Sequence, residues 1–128
     1  MYSPQLIAHF EHRQLPWGVV TNKPGWLTNP LMTELGLDTK AACIVSGDTV
    51  AHRKPHPMPM HHAAQLMSID PRECLYVGDA ERDIQAGNAA GMTTLVALWG
   101  YLSDADRPHE WQGHGIVNTP SDLMEWLS

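Results

Sequence analysis

The amino-acid sequence predicts an α/β fold, a doubly wound parallel sheet with helices on both faces. Short runs of apolar and β-branched residues recur along the chain, and segments with helical periodicity separate them. Glycines and prolines stand at the boundaries between the two kinds of segment. Because helices separate the first four strands from one another, right-handed crossovers and parallel pairing of the strands are expected.

The first half of the chain predicts two helices and two strands. One helix begins at Pro4, since proline is well tolerated in a first helical turn. Another helix ends at Gly36, because glycine readily adopts the left-handed backbone found after helix C-termini. The apolar runs between them predict buried strands. In order, the predicted elements are a helix over 4–14, a strand over 17–22, a helix with its core over 29–37 and a strand over 42–48.

The second half continues the alternation after a loop over 51–57, where two prolines with polar neighbours interrupt both kinds of element. Gly91 ends one of its helices, and Pro120 opens the last one. Residues 99–115 have little periodicity and predict a loop. The remaining elements are a helix over 58–67, a strand over 74–79, a helix over 80–90, a strand over 93–98, a short strand from 116 and a helix after 120.

Length and composition narrow the function classes. The 128 residues are enough for one modest domain, and the formal net charge of −6 without a basic stripe argues against nucleic acid or an anionic membrane as partner. Cys43 and Cys74 lie in apolar runs with no metal-site spacing, which predicts buried thiols in a reducing compartment. The sequence has neither a signal-peptide pattern nor a membrane-spanning run, so a cytoplasmic protein is expected.

Polar residues follow three successive predicted strands, where ligands bind in open α/β sheets. Thr21 could donate to a phosphate oxygen or serve as a turn residue. Lys54, in its proline-fixed loop, could neutralise a phosphate or simply be solvated. Asp79 suits a hard cation such as Mg²⁺. Asp83 could orient a water or a lysine, or only complement a helix N-terminus.

Three stretches of the chain together resemble a known family. "VVTNK", "KPHP" and "YVGDAERDIQAGNAAGM" resemble motifs two, three and four of the haloacid dehalogenase superfamily. They are most similar to its phosphoglycolate phosphatase-type branch, which includes the bacterial N-acetylmuramic acid 6-phosphate phosphatases. The resemblance runs from about Pro16 to the C-terminus. It implies a Rossmann-like three-layer domain and Mg²⁺-dependent hydrolysis of a small, phosphoglycolate-like phosphomonoester.

The resemblance also implies a role for each polar residue. Thr21 and Asn22 would bind the phosphate, Asn22 through its backbone, and Lys54 would neutralise it as a catalytic residue. Asp79 would be a Mg²⁺ ligand, with Asp83 supporting the metal site from behind. The expected partner is therefore a small phosphorylated metabolite.

The family's first motif, a strand ending in Asp-x-Asp-Gly-Thr, has no counterpart before Thr21, and the cap domain is absent too. Asp104-Ala-Asp106 is the only Asp-x-Asp, and it lies in a loop without the following Gly-Thr. Since the first aspartate of that motif is the nucleophile, we expect residues 1–128 to be one truncated core domain without turnover. The lost strand would lie between the strands at Val19 and Val77.

That loss predicts that the two flanking strands pair directly, exchange a segment with a second copy, or need another polypeptide. The isolated chain is then expected to self-associate or to be marginally stable. An alternative function is an oligomerising or metal-binding module that uses the His-rich loop. Imidazole and thioether groups suit transition metals, although neighbouring helix residues point in different directions. The residues concerned are His52, His56, Met58, Met60, His61 and His62.

Overall fold

A computed structural model describes residues 4–99 and 106–127. Within these ranges helices and strands alternate as expected up to the fourth strand, and among the described residues only a 3₁₀ turn at Pro108–Glu110 lies between that strand and the fifth. Another 3₁₀ turn, Pro71–Glu73, precedes the third strand. The elements are α1 Pro4–His12, β1 Gly18–Val20, α2 Gly25–Glu34, β2 Cys43–Val45, α3 Met58–Met67, β3 Leu75–Gly78, α4 Glu81–Ala89, β4 Thr93–Ala97, β5 Gly115–Val117 and α5 Pro120–Trp126.

Helix α2 begins four residues before the predicted helix core. Its first N–H group, on Gly25, donates to the carboxylate of Asp48, which lies after β2 (2.9 Å). This contact comes from a distant part of the chain, so the local pattern around Pro30 did not reveal it. The predicted C-terminus is correct, because Gly36 has a φ of 72° and follows the last turn of the helix.

All strand pairs in the described chain are parallel, which confirms the predicted α/β class. The strands form two sheets, one with the order β1-β2 and one with the order β3-β4-β5. The edge strands β1 and β3 are not paired with each other. Direct pairing, one of the three arrangements expected without a central strand, is therefore not what this structure shows.

Helices cover both faces of the larger sheet. Tyr76 of β3 packs with a cluster formed by α3, α4 and Met92, whereas its neighbours Leu75 and Val77 pack with a cluster formed by α1, β4, β5 and α5. The central strand β4 is buried throughout its last four residues, which include Leu95 at 0% exposure. This alternation confirms the expected three-layer arrangement.

Both cysteines are free thiols, Cys43 buried and Cys74 half-buried, and burial raises the pKa of each. The predicted burial is confirmed for Cys43, whereas Cys74 is only half-buried. In the described part of the chain, no helix has the length and apolar character needed to cross a bilayer.

Candidate active site

A cleft of about 620 Å³ opens between β1 and β3, and all five residues selected from the sequence line it. Their shared position follows from the parallel topology, since strands that run the same way end at the same edge of the molecule. The five are Thr21, Asn22, Lys54, Asp79 and Asp83.

Lys54 is 8% exposed and uses all three ammonium protons inside the protein. Its Nζ lies 2.6 Å from Asp83 Oδ1, 2.8 Å from the hydroxyl of Tyr76 and 3.0 Å from the carbonyl oxygen of Val20. The solvated lysine considered from the sequence is therefore wrong. The loop that carries it contains a cis peptide bond between Lys54 and Pro55, an isomer that the sequence left open.

Asp83 combines the two roles that the sequence left as alternatives. One carboxylate oxygen holds the Lys54 ammonium, and the other accepts backbone N–H groups from Asp79 (3.1 Å) and Ala80 (3.2 Å) at the start of α4. It thus orients a lysine and also satisfies a helix N-terminus. Gly78 makes this possible, because a Cβ at that position would overlap the Asp83 side chain.

Tyr76 was not selected from the sequence, yet it completes the Lys54 environment. Its hydroxyl accepts from Lys54 Nζ and donates to Val20 O at 3.2 Å. Burial raises the pKa of Tyr76 well above its usual range, and the carboxylates of Asp83 and Asp79 raise it further. The phenol is therefore a neutral hydrogen-bonding group. The sequence did contain a signal for this role. Tyr76 lies in a predicted buried strand, two residues before Gly78, and a buried tyrosine hydroxyl needs a hydrogen-bond partner.

Asn22 holds the lysine loop with its side chain. Its amide nitrogen donates to Lys54 O and its amide oxygen accepts from Lys54 N–H, both at 3.0 Å. The sequence suggested only a backbone contact to phosphate for this residue, which stays a prediction. Thr21 Oγ1 accepts the Lys23 N–H (3.2 Å), as in a turn, and this contact leaves the hydroxyl proton free to donate into the cleft.

Asp79 lies half-buried at the cleft, and none of the described residues donates a hydrogen bond to its carboxylate. Mg²⁺ in proteins is usually held by one or two carboxylates, with water and phosphate completing its shell. Asp79 fits this pattern, whereas both oxygens of Asp83 are already engaged. Among residues 4–99 and 106–127, no group of three or more His, Cys, Asp or Glu side chains is arranged to hold a metal by itself.

The His-rich loop does not form a metal site of that kind either. The rings of His52 and His56 stack with centroids 4.4 Å apart, and His56 Nδ1 accepts the Met58 N–H at 3.0 Å. The metal-binding alternative is therefore not favoured. Of the Asp-x-Asp pair, Asp106 lines the cleft, and Asp104 lies outside the described residues.

Comparison with known proteins places this chain in a family. Residues 3–97 match the model of the haloacid dehalogenase-like hydrolases. The chain is 49% identical over 104 residues to a phosphoglycolate phosphatase of Xylella fastidiosa, which covers 81% of this chain and 45% of that protein. It is 39% identical over 121 residues to an N-acetylmuramic acid 6-phosphate phosphatase of Pseudomonas putida, which covers 94% and 54%.

A solved structure shares the fold. The crystal structure of a predicted phosphoglycolate phosphatase from Haemophilus somnus superimposes with a TM-score of 0.88 at 24% identity, over 97% of this chain and 55% of that one. The chain spans about half the length of the curated relatives it matches. The resemblance stated from the three motifs is confirmed, and the chain belongs to the haloacid dehalogenase-like hydrolase family.

Proposed function

We propose that this chain supplies the phosphate-binding and Mg²⁺-binding part of a reaction centre that hydrolyses a small phosphomonoester. The observation that carries the proposal is the Lys54 ammonium, buried at the cleft and fixed by Asp83 at 2.6 Å. Burying a charge is costly unless an opposite charge and hydrogen bonds compensate it, as Asp83, Tyr76 and Val20 O do for Lys54. An ammonium held at the mouth of a parallel sheet suits an anionic substrate.

Different residues around the cleft make different contacts with the phosphoryl group in this proposal. The Thr21 hydroxyl and the Asn22 backbone N–H donate to phosphate oxygens, and Lys54 offsets the negative charge. Lys54 would reach the phosphate by exchanging its bond to Val20 O, the longest of its three at 3.0 Å, while Asp83 keeps it in place. Such preorganised charge is the main source of catalysis in phosphoryl transfer.

Mg²⁺ bound at Asp79 would neutralise phosphate charge as a Lewis acid. The proposal gives Asp83 a positioning role only, through Lys54 and through the backbone of Asp79 and Ala80. Substrate and metal would thus meet at the end of β3, where α4 begins. The proposal therefore includes two further statements: hydrolysis depends on Mg²⁺, and Asp79 is the ligand that this chain contributes to the ion.

The nucleophile is the part that this chain does not supply. Asp-x-Asp-Gly-Thr is absent from the sequence, and the proposal treats residues 1–128 as one truncated core domain whose missing motif lies on another stretch of polypeptide. Binding without turnover is therefore expected of the chain alone. The names of its relatives make 2-phosphoglycolate and N-acetylmuramic acid 6-phosphate the first substrates to test.

Isothermal titration with inorganic phosphate, in the presence and absence of Mg²⁺, tests the binding half of the proposal. Thr21→Val should weaken phosphate binding about tenfold, because a hydrogen bond to a charged group is lost. Thr33→Val, at an exposed position on α2, is the matched control and should bind as the unmodified chain does. Asp79→Asn should remove the enhancement by Mg²⁺, while Asp38→Asn, also exposed, should not.

Phosphate release from the two substrates tests the other half. The purified chain should release no phosphate above the buffer background with Mg²⁺ present. Robust Mg²⁺-dependent hydrolysis by this chain would show that it holds its own nucleophile. Phosphate binding that is equally strong in Thr21→Val and in the unmodified chain would place the anion elsewhere.

A further inference from the structure

Thr94, on the central strand β4, donates its backbone N–H to a side chain and not to a neighbouring strand. The acceptor is Nδ1 of His114, 3.0 Å away, in the residue directly before β5. A second hydrogen bond joins the same two residues, because the His114 N–H donates to Thr94 O at 2.8 Å. Thr94 is 0% exposed, so this pair of bonds connects the start of β5 to the core of the larger sheet.

The His114 ring takes the place of a backbone carbonyl in the ladder between β4 and β5. Leu98 N–H donates to Val117 O, and the bonds of a parallel ladder recur every two residues along both strands. Two such steps toward the start of the strands, Thr94 N–H would donate to Gly113 O. It donates to the imidazole instead, so a side chain supplies the first acceptor of this ladder.

The turn over residues 112–114 belongs to the same hydrogen-bond network. Gln112 has a φ of 66°, in the left-handed region that residues other than glycine rarely adopt. Its carbonyl oxygen accepts from Asn88 Nδ2 at 2.9 Å, and Asn88 Oδ1 accepts from the Thr94 hydroxyl at 2.7 Å. The network therefore joins α4, β4 and the turn, and the hydroxyl proton of Thr94 is already used within it.

The His114 ring has to be neutral for this arrangement. Nδ1 accepts the Thr94 N–H through its lone pair, so the proton of the neutral ring lies on Nε2. A proton on Nδ1 removes the acceptor and places two N–H groups opposite each other. The protonated ring can then donate only to Thr94 Oγ1, 3.1 Å away, and the buried Thr94 N–H loses its partner, which is unfavourable.

The elements packed around His114 offer its ring no charged partner within the described residues. β4, β5 and residues 84–90 of α4 contain no ionisable side chain. The ionisable groups of the preceding segment and of α5, which packs on β5, form no hydrogen bond or ion pair with the ring in the described part of the chain; they are Arg107, His109, Glu110, Asp122 and Glu125. His114 is itself exposed, so solvent can supply the proton.

We infer that His114 is a pH-sensitive hydrogen-bond switch that controls how firmly β5 is attached to β4. The neutral ring holds the turn over residues 112–114 against the sheet, and the protonated ring releases it. Imidazole side chains change charge between about pH 8 and pH 5. The attachment is therefore complete at the upper end of this range and is lost as the pH falls. Because Val117 of β5 and Leu123 of α5 share one apolar cluster, the release weakens the docking of α5 as well.

NMR of the intact chain between about pH 8 and pH 5 tests the inference. At the upper pH, long-range ¹H–¹⁵N spectra of the imidazole should show the Nε2–H tautomer of His114. As the pH falls, the protection factor of the Thr94 amide against hydrogen exchange should decrease at least about tenfold, together with the protonation of His114. The Leu95 amide points toward β3 by the alternation along the strand and is the internal reference, whose protection should stay constant.

Two variants of His114 separate the switch from general effects of acid. His114→Asn keeps an acceptor, Oδ1, that takes up no proton in this pH range, so the Thr94 amide should stay protected throughout. His114→Ala removes the acceptor, so the Thr94 amide should already be weakly protected at the upper pH. His109→Asn, at an exposed position in the preceding segment, is the matched control and should keep the transition of the unmodified chain.

The inference is overturned by constant protection of the Thr94 amide in the unmodified chain, or by an Nδ1–H tautomer of His114 at the upper pH. It is also overturned if the transition persists in either His114 variant or disappears in His109→Asn, since another group would then take up the proton. None of these measurements involves phosphate or Mg²⁺, so their failure would leave the proposed function untouched.

Discussion

Lys54 joins three parts of the chain through one ammonium group. It links the end of β1, the middle of β3 and the first turn of α4, through Val20, Tyr76 and Asp83. Asn22 fixes the backbone of the same residue. Both partners of the Lys54–Asp83 ion pair are buried, so replacing one leaves the charge of the other buried without compensation. We therefore expect such a replacement to lower the free energy of unfolding substantially.

Lys54→Met should lower the free energy of unfolding by about 3 kcal/mol, because it leaves the Asp83 carboxylate buried without its ammonium. Adding Asp83→Asn should recover at least about 1 kcal/mol, since the amide oxygen still accepts the backbone N–H groups of α4. Urea unfolding measures both. Lys40→Met is the matched control. It breaks an exposed 3.4 Å pair with Glu11 and should cost less than about 0.5 kcal/mol. Equal costs at the two lysines would refute this account.

Tyr76 should make stability fall at high pH. Its pKa is raised in the folded state, so its contribution is fully present below the unfolded-state pKa of about 10. Above that value the unfolded chain ionises while the folded chain does not, and stability declines by up to about 1.4 kcal/mol per pH unit until the folded pKa is reached.

Tyr76→Phe removes the pH dependence that Tyr76 contributes. At pH 8 it should lower the free energy of unfolding by about 1 kcal/mol, because the hydrogen bonds of the hydroxyl are lost. Urea unfolding at pH 8 and pH 11 should therefore show a smaller difference between the two proteins at the higher pH. Tyr2 and Tyr101 are present in both, so their ionisation cancels. A difference that stays constant with pH would mean that the phenol ionises normally.

At the scale of elements, the junction between β3 and α4 decides the geometry of the cleft. The strand ends at Gly78, and the first turn of the helix returns Asp83 to the same place. The Asp83 side chain packs where a Cβ on residue 78 would be. The glycine is needed here for close approach, whereas Gly36 is needed for its left-handed backbone.

Gly78→Ala should therefore lower the free energy of unfolding by about 3 kcal/mol, at the upper end for overpacked sites. Gly36→Ala should cost only about 1 kcal/mol, because its φ is 72° but nothing lies within 4 Å of an added Cβ. Urea unfolding compares the two. If the two substitutions cost the same, the crowding of Asp83 against Gly78 is not a constraint on this fold.

At the scale of the whole molecule, the two sheets differ in how they are supported. The larger sheet has helices on both faces and a central strand with Leu95, Val96 and Ala97 at 0% exposure. The smaller sheet is a single pair of three-residue strands whose first strand is nowhere fully buried. A two-stranded sheet has little stability of its own, so it relies on α3 and on Lys54.

Native-state hydrogen exchange should therefore separate the two sheets. The amides of β1 and β2 that are hydrogen-bonded between these two strands should exchange through opening reactions. The free energy of opening should be about 2 kcal/mol or more below that of the β4 amides, which should exchange only by global unfolding. The comparison is internal, since all amides are measured in one sample. Uniform protection across both sheets would show that the molecule unfolds as one unit.

The sequence by itself determined the α/β class, the order of the elements and the family. These depend on local signals: apolar periodicity, helix ends such as Gly36, and short motifs around Thr21, Lys54 and Asp79. Parallel topology then implied that the polar strand ends share one edge, and all five selected residues do line one cleft. Their roles toward phosphate and metal stay predictions.

Only the tertiary structure decided how those residues are joined. Lys54 and Asp83 are 29 positions apart, and Tyr76 reaches a carbonyl 56 positions away. No local pattern records such distances, because the contacts form only when separate elements pack. For the same reason the sequence did not reveal the hydrogen bonds between the Asn22 side chain and the Lys54 backbone, or the start of α2 at Gly25. The division into two sheets likewise depends on which edges find a partner, and that is a property of the folded molecule.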